Sequence, residues 1–216
     1  MALIDMDDRI NEAILACEKV LDPKTPVIPP HLLQICRGIA FITNFEARFG
    51  VSVSGGSGLL LYRDSISDKW SFPCAFNAVG AGVGLSVGVG VRDIILVFVD
   101  EAPLKQLVQK SDVRLSGQFG ITVGPVGDDT VTSLSNAKAI FSYSFNEGFF
   151  AGVGLEISSM SVNKRSNKDF YKSDATPEEI LFKTDVVKVP NEESAEYLQD
   201  LHDALKKMAT EKEQSS

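Results

Sequence analysis

Between Val79 and Val91 the chain reads VGAGVGLSVGVGV, with an apolar side chain at every odd position and glycine or Ser86 at every even one. Strict period two is the pattern of a strand. The stretch therefore predicts one extended strand, or two strands around a tight bend, with an apolar face and a nearly bare one. A bare face lets another sheet, a helix or an acyl chain approach the backbone closely, and that packing must offset the entropic cost of glycine in a strand. Two readings follow from the pattern: dense internal packing, or a groove that accommodates lipid.

The same alternation removes the catalytic readings of this stretch. A dinucleotide fingerprint opening at Gly80 or Gly82 needs a further glycine where Leu85 or Val87 stands, and no phosphate-binding G-x-x-x-x-G-K-[ST] occurs. Gly84-Leu-Ser86-Val-Gly88 matches the G-x-S-x-G elbow of serine hydrolases, but that motif works only where a strand turns sharply into a helix. Here the alternation continues on both sides of the serine, so Ser86 reads as structural. His202 and His31, the two histidines of the chain, read as helix residues rather than as bases. We assign no catalytic residue and no cofactor.

Around this strand, the periodicity predicts helices at both ends and β texture between. Asp5 to Leu21 is amphipathic, with Met6, Ile10, Ile14, Cys17 and Leu21 at three- and four-residue intervals. After a proline-rich connector, His31 to Arg37 predicts a short helix entered through Pro30 and closed by Gly38. From there to about residue 160 the runs GIAFIT, VSVS, GLLLY, KWSFPCAF, RDIILVFVD, VRLSGQFGITV, AKAIFSYSF and FFAGVGLEI are β-branched or aromatic and mostly bounded by turn residues. Asp100 caps a helix running to Lys110. Thr176-Pro-Glu-Glu179 is a capping box leading into Ile180 to Phe182. Ala195, Leu198, Leu201, Leu205 and Met208 form one stripe on a charged C-terminal helix, behind the extended linker KTDVVKVPN. The stripe fits a coiled-coil seam or docking on the parent domain. The expected fold is α+β: a mainly antiparallel, glycine-rich β sandwich or partial barrel with flanking helices. Residues 1–183 read as one domain including the N-terminal helix, and 184–216 as linker and C-terminal helix.

Charge limits the partners. The net charge of −8 argues against nucleic acid and against bulk attraction to an anionic membrane, so contact with phosphate must come from a local cluster. The N-terminus is acidic and lacks the pattern of a secretory signal. Cys17, Cys36 and Cys74 have neither an even count nor metal-ligand spacing, which predicts reduced thiols in a cytoplasmic protein and no metal site. The uncharged run Trp70 to Val91 is long enough to span a bilayer, but its glycines and alternation make it a poor transmembrane helix.

Several short motifs occur together in one order: Gly55-Gly-Ser-Gly58, Trp70-Ser-Phe-Pro73, the glycine-alternating strand, Asp93-Ile-Ile-Leu-Val, Gly124-Pro-Val-Gly127, Phe141-Ser-Tyr-Ser144, Gly148-Phe-Phe-Ala-Gly-Val-Gly-Leu-Glu156 and Asn167-Lys-Asp-Phe170-Tyr171. As a set, over roughly Pro29 to Phe182, they resemble the SYLF domain, a lipid-binding module also described as actin-binding. The resemblance implies a non-enzymatic module that binds phosphoinositide membranes and, in fungal and animal relatives, actin filaments. It implies a peripheral rather than transmembrane protein of the cytoplasm, at endosomal or plasma membrane, serving endocytosis or membrane trafficking. Relatives often carry a Src-homology-3 or FYVE domain. This chain has neither and reads as a SYLF domain standing nearly alone or cut from a longer protein.

Animal relatives are thought to engage lipid with an N-terminal amphipathic helix, which makes Met6, Ile10 and Ile14 the membrane-inserting candidates. The polar face of that helix departs from the pattern: Asp5, Asp7, Asp8, Glu12 and Glu18 stand against Arg9 and Lys19. An interfacial helix on anionic lipid carries lysine and arginine there, so packing on the core is the favoured expectation. The densest basic run gives the headgroup candidates Lys164, Arg165, Lys168 and Lys172, with polar donors between them. On a helix, 164, 168 and 172 share one side. The plainer reading is a solvated polar face with Phe170 and Tyr171 as core anchors. The rival function, from another class, is a protein-interaction scaffold that self-associates through the C-terminal helix.

Overall fold

A computed structural model describes residues 5–22, 28–110, 112–114, 120–123, 139–147, 159–183 and 185–210. Its elements are α1 (Met6–Leu21), α2 (Pro30–Ile35), β1 (Gly38–Tyr62), β2 (Cys74–Phe98), α3 (Glu101–Lys110), β3 (Asp112–Arg114), β4 (Gly120–Val123), β5 (Ala139–Glu147), β6 (Ser159–Val162), α4 (Lys164–Tyr171), α5 (Pro177–Phe182) and α6 (Glu192–Thr210). The runs FFAGVGLEI and GPVG lie outside the described residues.

The runs GIAFIT, VSVS and GLLLY are not separate strands. They merge into β1, 25 residues long, and the glycine stretch lies inside β2, also 25 residues long. The two pair antiparallel from Gly38↔Phe98 to Leu60↔Cys74, with one register shift between Phe49 and Val51. Straight, such a strand would extend about 80 Å, several times the usual strand length. It does not stay straight. Gly50 sits at φ +72°, the left-handed region that glycine enters without a Cβ clash, and β1 doubles back around it. Its second half then lies against its first. A Cβ on Gly56 would stand 2.9 Å from the Asn44 Cα and overlap the Thr43 carbonyl, and one on Gly58 would overlap the carbonyl of Phe41. The glycine-serine run Gly55 to Gly58 is thus where the ribbon touches itself.

β2 is the hub of the sheet. Its other edge receives β5 over Val91–Phe98 and β6 over Phe76–Val79, both antiparallel, and β3 and β4 complete the order β3-β6-β2-β5-β4. Among the described strands, the one parallel pairing is β4 with β5. The fold is α+β, with a mainly antiparallel open sheet and flanking helices.

Helix caps follow the sequence. Asp5 accepts from the Met6 N–H at 2.6 Å, Asp100 from that of Ala102 at 2.6 Å, and Thr176 and Glu179 close the capping box. Gly38 opens β1 rather than closing α2, which ends three residues earlier at Ile35. α6 packs along α1 and reaches α2, burying Leu198, Leu201, Leu205 and Met208. The linker before it is anchored, with Val187 buried.

Candidate functional site

The basic run forms α4, fixed at the end of β6. The Asn163 N–H donates to the Ala75 carbonyl at 2.9 Å, and its side-chain amide to Asn77 Oδ1 at 3.1 Å. Asn163 also caps the helix, its Oδ1 accepting from the Ser166 N–H at 3.0 Å. One turn on, buried Asn167 accepts from the Ala75 N–H at 2.7 Å and donates to the same residue's carbonyl at 3.2 Å, so an amide side chain pairs with a strand backbone. Tyr171 donates to the Pro73 carbonyl at 2.6 Å and meets Phe170 and Phe72 edge-on. Phe170 and Tyr171 are therefore core anchors, and α4 is held on one side by amides and rings.

The other side carries the cations. Lys164, Arg165, Lys168 and Lys172 are all exposed. Two of them meet acids close by: Lys168 lies 2.6 Å from Asp174, which holds its ammonium pKa above the ordinary value, and Arg165 lies 3.6 Å from Asp169. Lys172 departs from the helical face, because it is the left-handed C-cap at φ 51°. The structure thus keeps Lys164, Arg165 and Lys168 on one short helix and puts Lys172 beyond its end.

Met6 and Ile10 are 1% and 0% exposed, and Ile14 is half-buried. The acidic residues of α1 help to hold this face inward. Asp7 accepts from Ser194 Oγ at 3.2 Å, Glu12 accepts from Thr43 at 3.3 Å, and Lys19 pairs with Asp93 at 2.7 Å. Burial raises the carboxyl pKa of both Asp7 and Glu12. Insertion of Met6, Ile10 and Ile14 into lipid would first require α1 to leave α6 and the sheet.

A cleft of about 690 Å³ opens between the β1–β2 connection, α3, α5 and α6, lined by Tyr62, Trp70, Phe72, Phe182, Lys105 and His202 among others. Sequence reasoning missed it, since its aromatics come from separate segments; the only signal was the WSFP run. Four of its polar side chains, Tyr62, Glu101, Ser71 and His202, are already engaged. Tyr62 donates to Glu101 at 2.8 Å, and burial together with that bond pushes its pKa up to about 12. Ser71 accepts from the Tyr62 N–H at 2.9 Å and donates to the Phe72 carbonyl at 2.8 Å. His202 meets the Ser71 carbonyl at 3.3 Å, and burial lowers its pKa.

The backbone runs through Ser86 as strand, without the strand-to-helix turn of a nucleophile elbow. All three cysteines are buried free thiols, and burial pushes Cys36 up to about 11 and Cys74 up to about 12. Among the described residues, no cluster of three histidine, cysteine or acidic side chains could hold a metal ion. Nor is any described helix long and apolar enough to cross a membrane.

Comparison with known proteins finds a family and relatives for the chain. Residues 79–208 match the family model described as Ysc84, Las17-binding protein actin regulator. The chain is 33% identical over 159 residues to the rat protein "SH3 domain-containing YSC84-like protein 1", covering 72% of this chain and 46% of that protein. It is 34% identical over 169 residues to "Protein YSC84" of Saccharomyces cerevisiae, covering 76% of this chain and 35% of that one. It is 32% identical over 160 residues to "LAS seventeen-binding protein 3" of the same species, at 72% and 34%. The chain therefore spans less than half the length of these relatives.

Proposed function

The chain belongs to the Ysc84 family, the family of the SYLF domain, and on that premise we propose that it is a non-enzymatic module that binds phosphoinositide membranes and links them to the actin system. The names of its relatives, an actin regulator and Las17-binding proteins, support the actin link. The observation that carries the lipid reading is α4. Its amides and rings are committed to β2, while Lys164, Arg165 and Lys168 project from the other side of the same two turns. Clustered cations of this kind engage several phosphate oxygens at once through charge-assisted hydrogen bonds. Lys172 lies just past the helix end and adds to the local potential. The protein is peripheral, at an endosomal or plasma membrane, and free of catalytic or cofactor chemistry.

The test is co-sedimentation with phosphatidylcholine vesicles containing phosphatidylserine or a phosphatidylinositol bisphosphate. With a net charge of −8, the protein has no bulk attraction to offer. Phosphatidylserine vesicles should retain little of it and phosphoinositide vesicles more. Each cation near a membrane surface contributes about 1 kcal/mol, and Asp169 and Asp174 already offset part of that. Replacing Lys164, Arg165 and Lys168 by alanine should therefore weaken binding about tenfold or more. Added salt should weaken the native protein more than the triple variant. Equal binding by the two proteins would remove α4 from the mechanism. The rival scaffold, self-associating through α6, would need an apolar stripe that α1 and α2 already cover.

A further inference from the structure

The distal part of the β1–β2 ribbon is built inside out. On the inward side of β1 and β2 the side chains are polar and buried: Asn44, Glu46, Arg48, Ser52, Ser54 and Arg92. Glu46 accepts from Arg48 at 2.9 Å and from Asn44 at 3.3 Å, and it lies 3.3 Å from Arg92, so three of these side chains converge on one buried carboxylate. The outward side is apolar. From Phe45 to Gly55 every exposed position of β1 is apolar or glycine, and so are the described exposed positions of β2 from Val79 to Val89. Phe49 and its cross-strand partner Val87 are 70% and 71% exposed, and Phe45, Val53, Val79 and Val89 all exceed half. Phe45, Val53 and Val89 line a shallow groove of about 560 Å³ between the two halves of the ribbon. A soluble antiparallel hairpin turns its apolar face to the core and its polar face to water. Polar inside and apolar outside is the arrangement of strands that face lipid.

We propose that this outer ribbon face is a membrane contact, entering the hydrocarbon edge of a bilayer while the backbone stays at headgroup depth. The inference rests on the lipid reading given above and identifies the apolar partner of the α4 cations. Two observations commit it to lipid rather than to a protein. A protein interface surrounds its apolar centre with a polar rim and hydrogen bonds, whereas this strip offers apolar carbon at every described exposed position. The strip is also continuous with the cations. Asn163, immediately before Lys164, bonds Asn77, and Asn77 lies two residues along β2 from exposed Val79, about 7 Å. Cations beside apolar side chains match the order of an anionic headgroup over an acyl chain.

The test uses the intact chain with Phe49→Cys carrying an environment-sensitive fluorophore; the native cysteines are buried and resist labelling. On phosphatidylcholine vesicles containing phosphatidylinositol bisphosphate, the emission should shift to the blue and be quenched by spin labels on the acyl chains. Phe49→Asp with Val87→Thr, which puts no like charges opposite each other, should weaken vesicle binding about tenfold or more and leave the melting temperature unchanged. If the native protein sediments with these vesicles while the fluorophore stays in water, the ribbon proposal is overturned and the α4 reading survives. If the fluorophore enters the hydrocarbon but the α4 variant binds as the native protein does, the ribbon proposal stands and the α4 reading falls. A blue-shifted signal without vesicles would mean that a second copy or the chain itself covers this face. So would a fall in melting temperature for the aspartate variant, and either overturns the proposal. A shift with actin filaments alone would assign the face to a protein partner and overturn it as well. Absence of sedimentation with every vesicle would remove both readings.

Discussion

Residues 38–44 and 45–55 of β1 are consecutive on one strand and pair with one partner, yet they solve the burial problem in opposite ways. At the base, Ile39 to Ile42 face Ile94 to Val97, and all are buried, with the β2 neighbour β5 beside them and α1 packed on β1. Eight residues further, the odd positions continue as phenylalanine and valine but point to solvent, and the even positions bury an ionic cluster instead. Alternation sets two faces; it does not decide which one is inside. That decision belongs to whatever stands opposite. At the base there are helices and a second strand layer. The ribbon meets its own backbone where Gly56 stands against Asn44, at the border of the base, and beyond that contact the inward positions of the distal half hold Glu46, Arg48 and Arg92.

The largest effect should come from opening that cluster. Glu46→Ala would leave two nearly buried guanidinium groups without their shared carboxylate, and loss of one partner from a buried ion cluster costs about 3–5 kcal/mol. Urea denaturation measures it. An unchanged midpoint would show that the inside of the distal half is wet and would erase the contrast with the base.

A smaller effect separates the halves by pH. His202 belongs to the base, where burial in α6 near the Ser71 carbonyl lowers its pKa below the ordinary 6.5. The folded state thus keeps it neutral where the unfolded chain binds a proton. Its stabilising contribution is full above 6.5 and is lost as pH falls toward the folded value. Asp7 and Glu12, raised by burial, act in the opposite sense at lower pH. Comparison with His202→Gln isolates the histidine. Between about pH 7.5 and about pH 5.5, the melting temperature of the native protein should fall further than that of the variant. Parallel curves would mean that the imidazole is solvated.

The base was largely legible in the sequence, and the distal half was not. Period and caps located α1, α4's anchors, α5 and α6, because local hydrogen bonds and one-sided burial fix those elements. The alternation showed that Val79–Val91 is strand. It could not show which face would be buried, since that depends on β1 folding over Gly50, a contact between residues far apart in the chain. The basic run was visible as charge. Its partial neutralisation was not, because Asp174 reaches Lys168 only after the chain has turned at Lys172. The Tyr62–Trp70 cleft needs four segments brought together, and none of them carries its signature alone.

One pair of substitutions tests the contrast most directly. Phe41 and Phe49 lie on the same strand and share a parity; one is 4% exposed and the other 70%. Phe41→Ala should cost about 3–5 kcal/mol in urea denaturation, as truncation of a packed core phenylalanine does. Phe49→Ala should change stability by no more than about 0.5 kcal/mol, as at an exposed site. Equal losses at the two positions would contradict the account, because they would place the distal apolar face in a core.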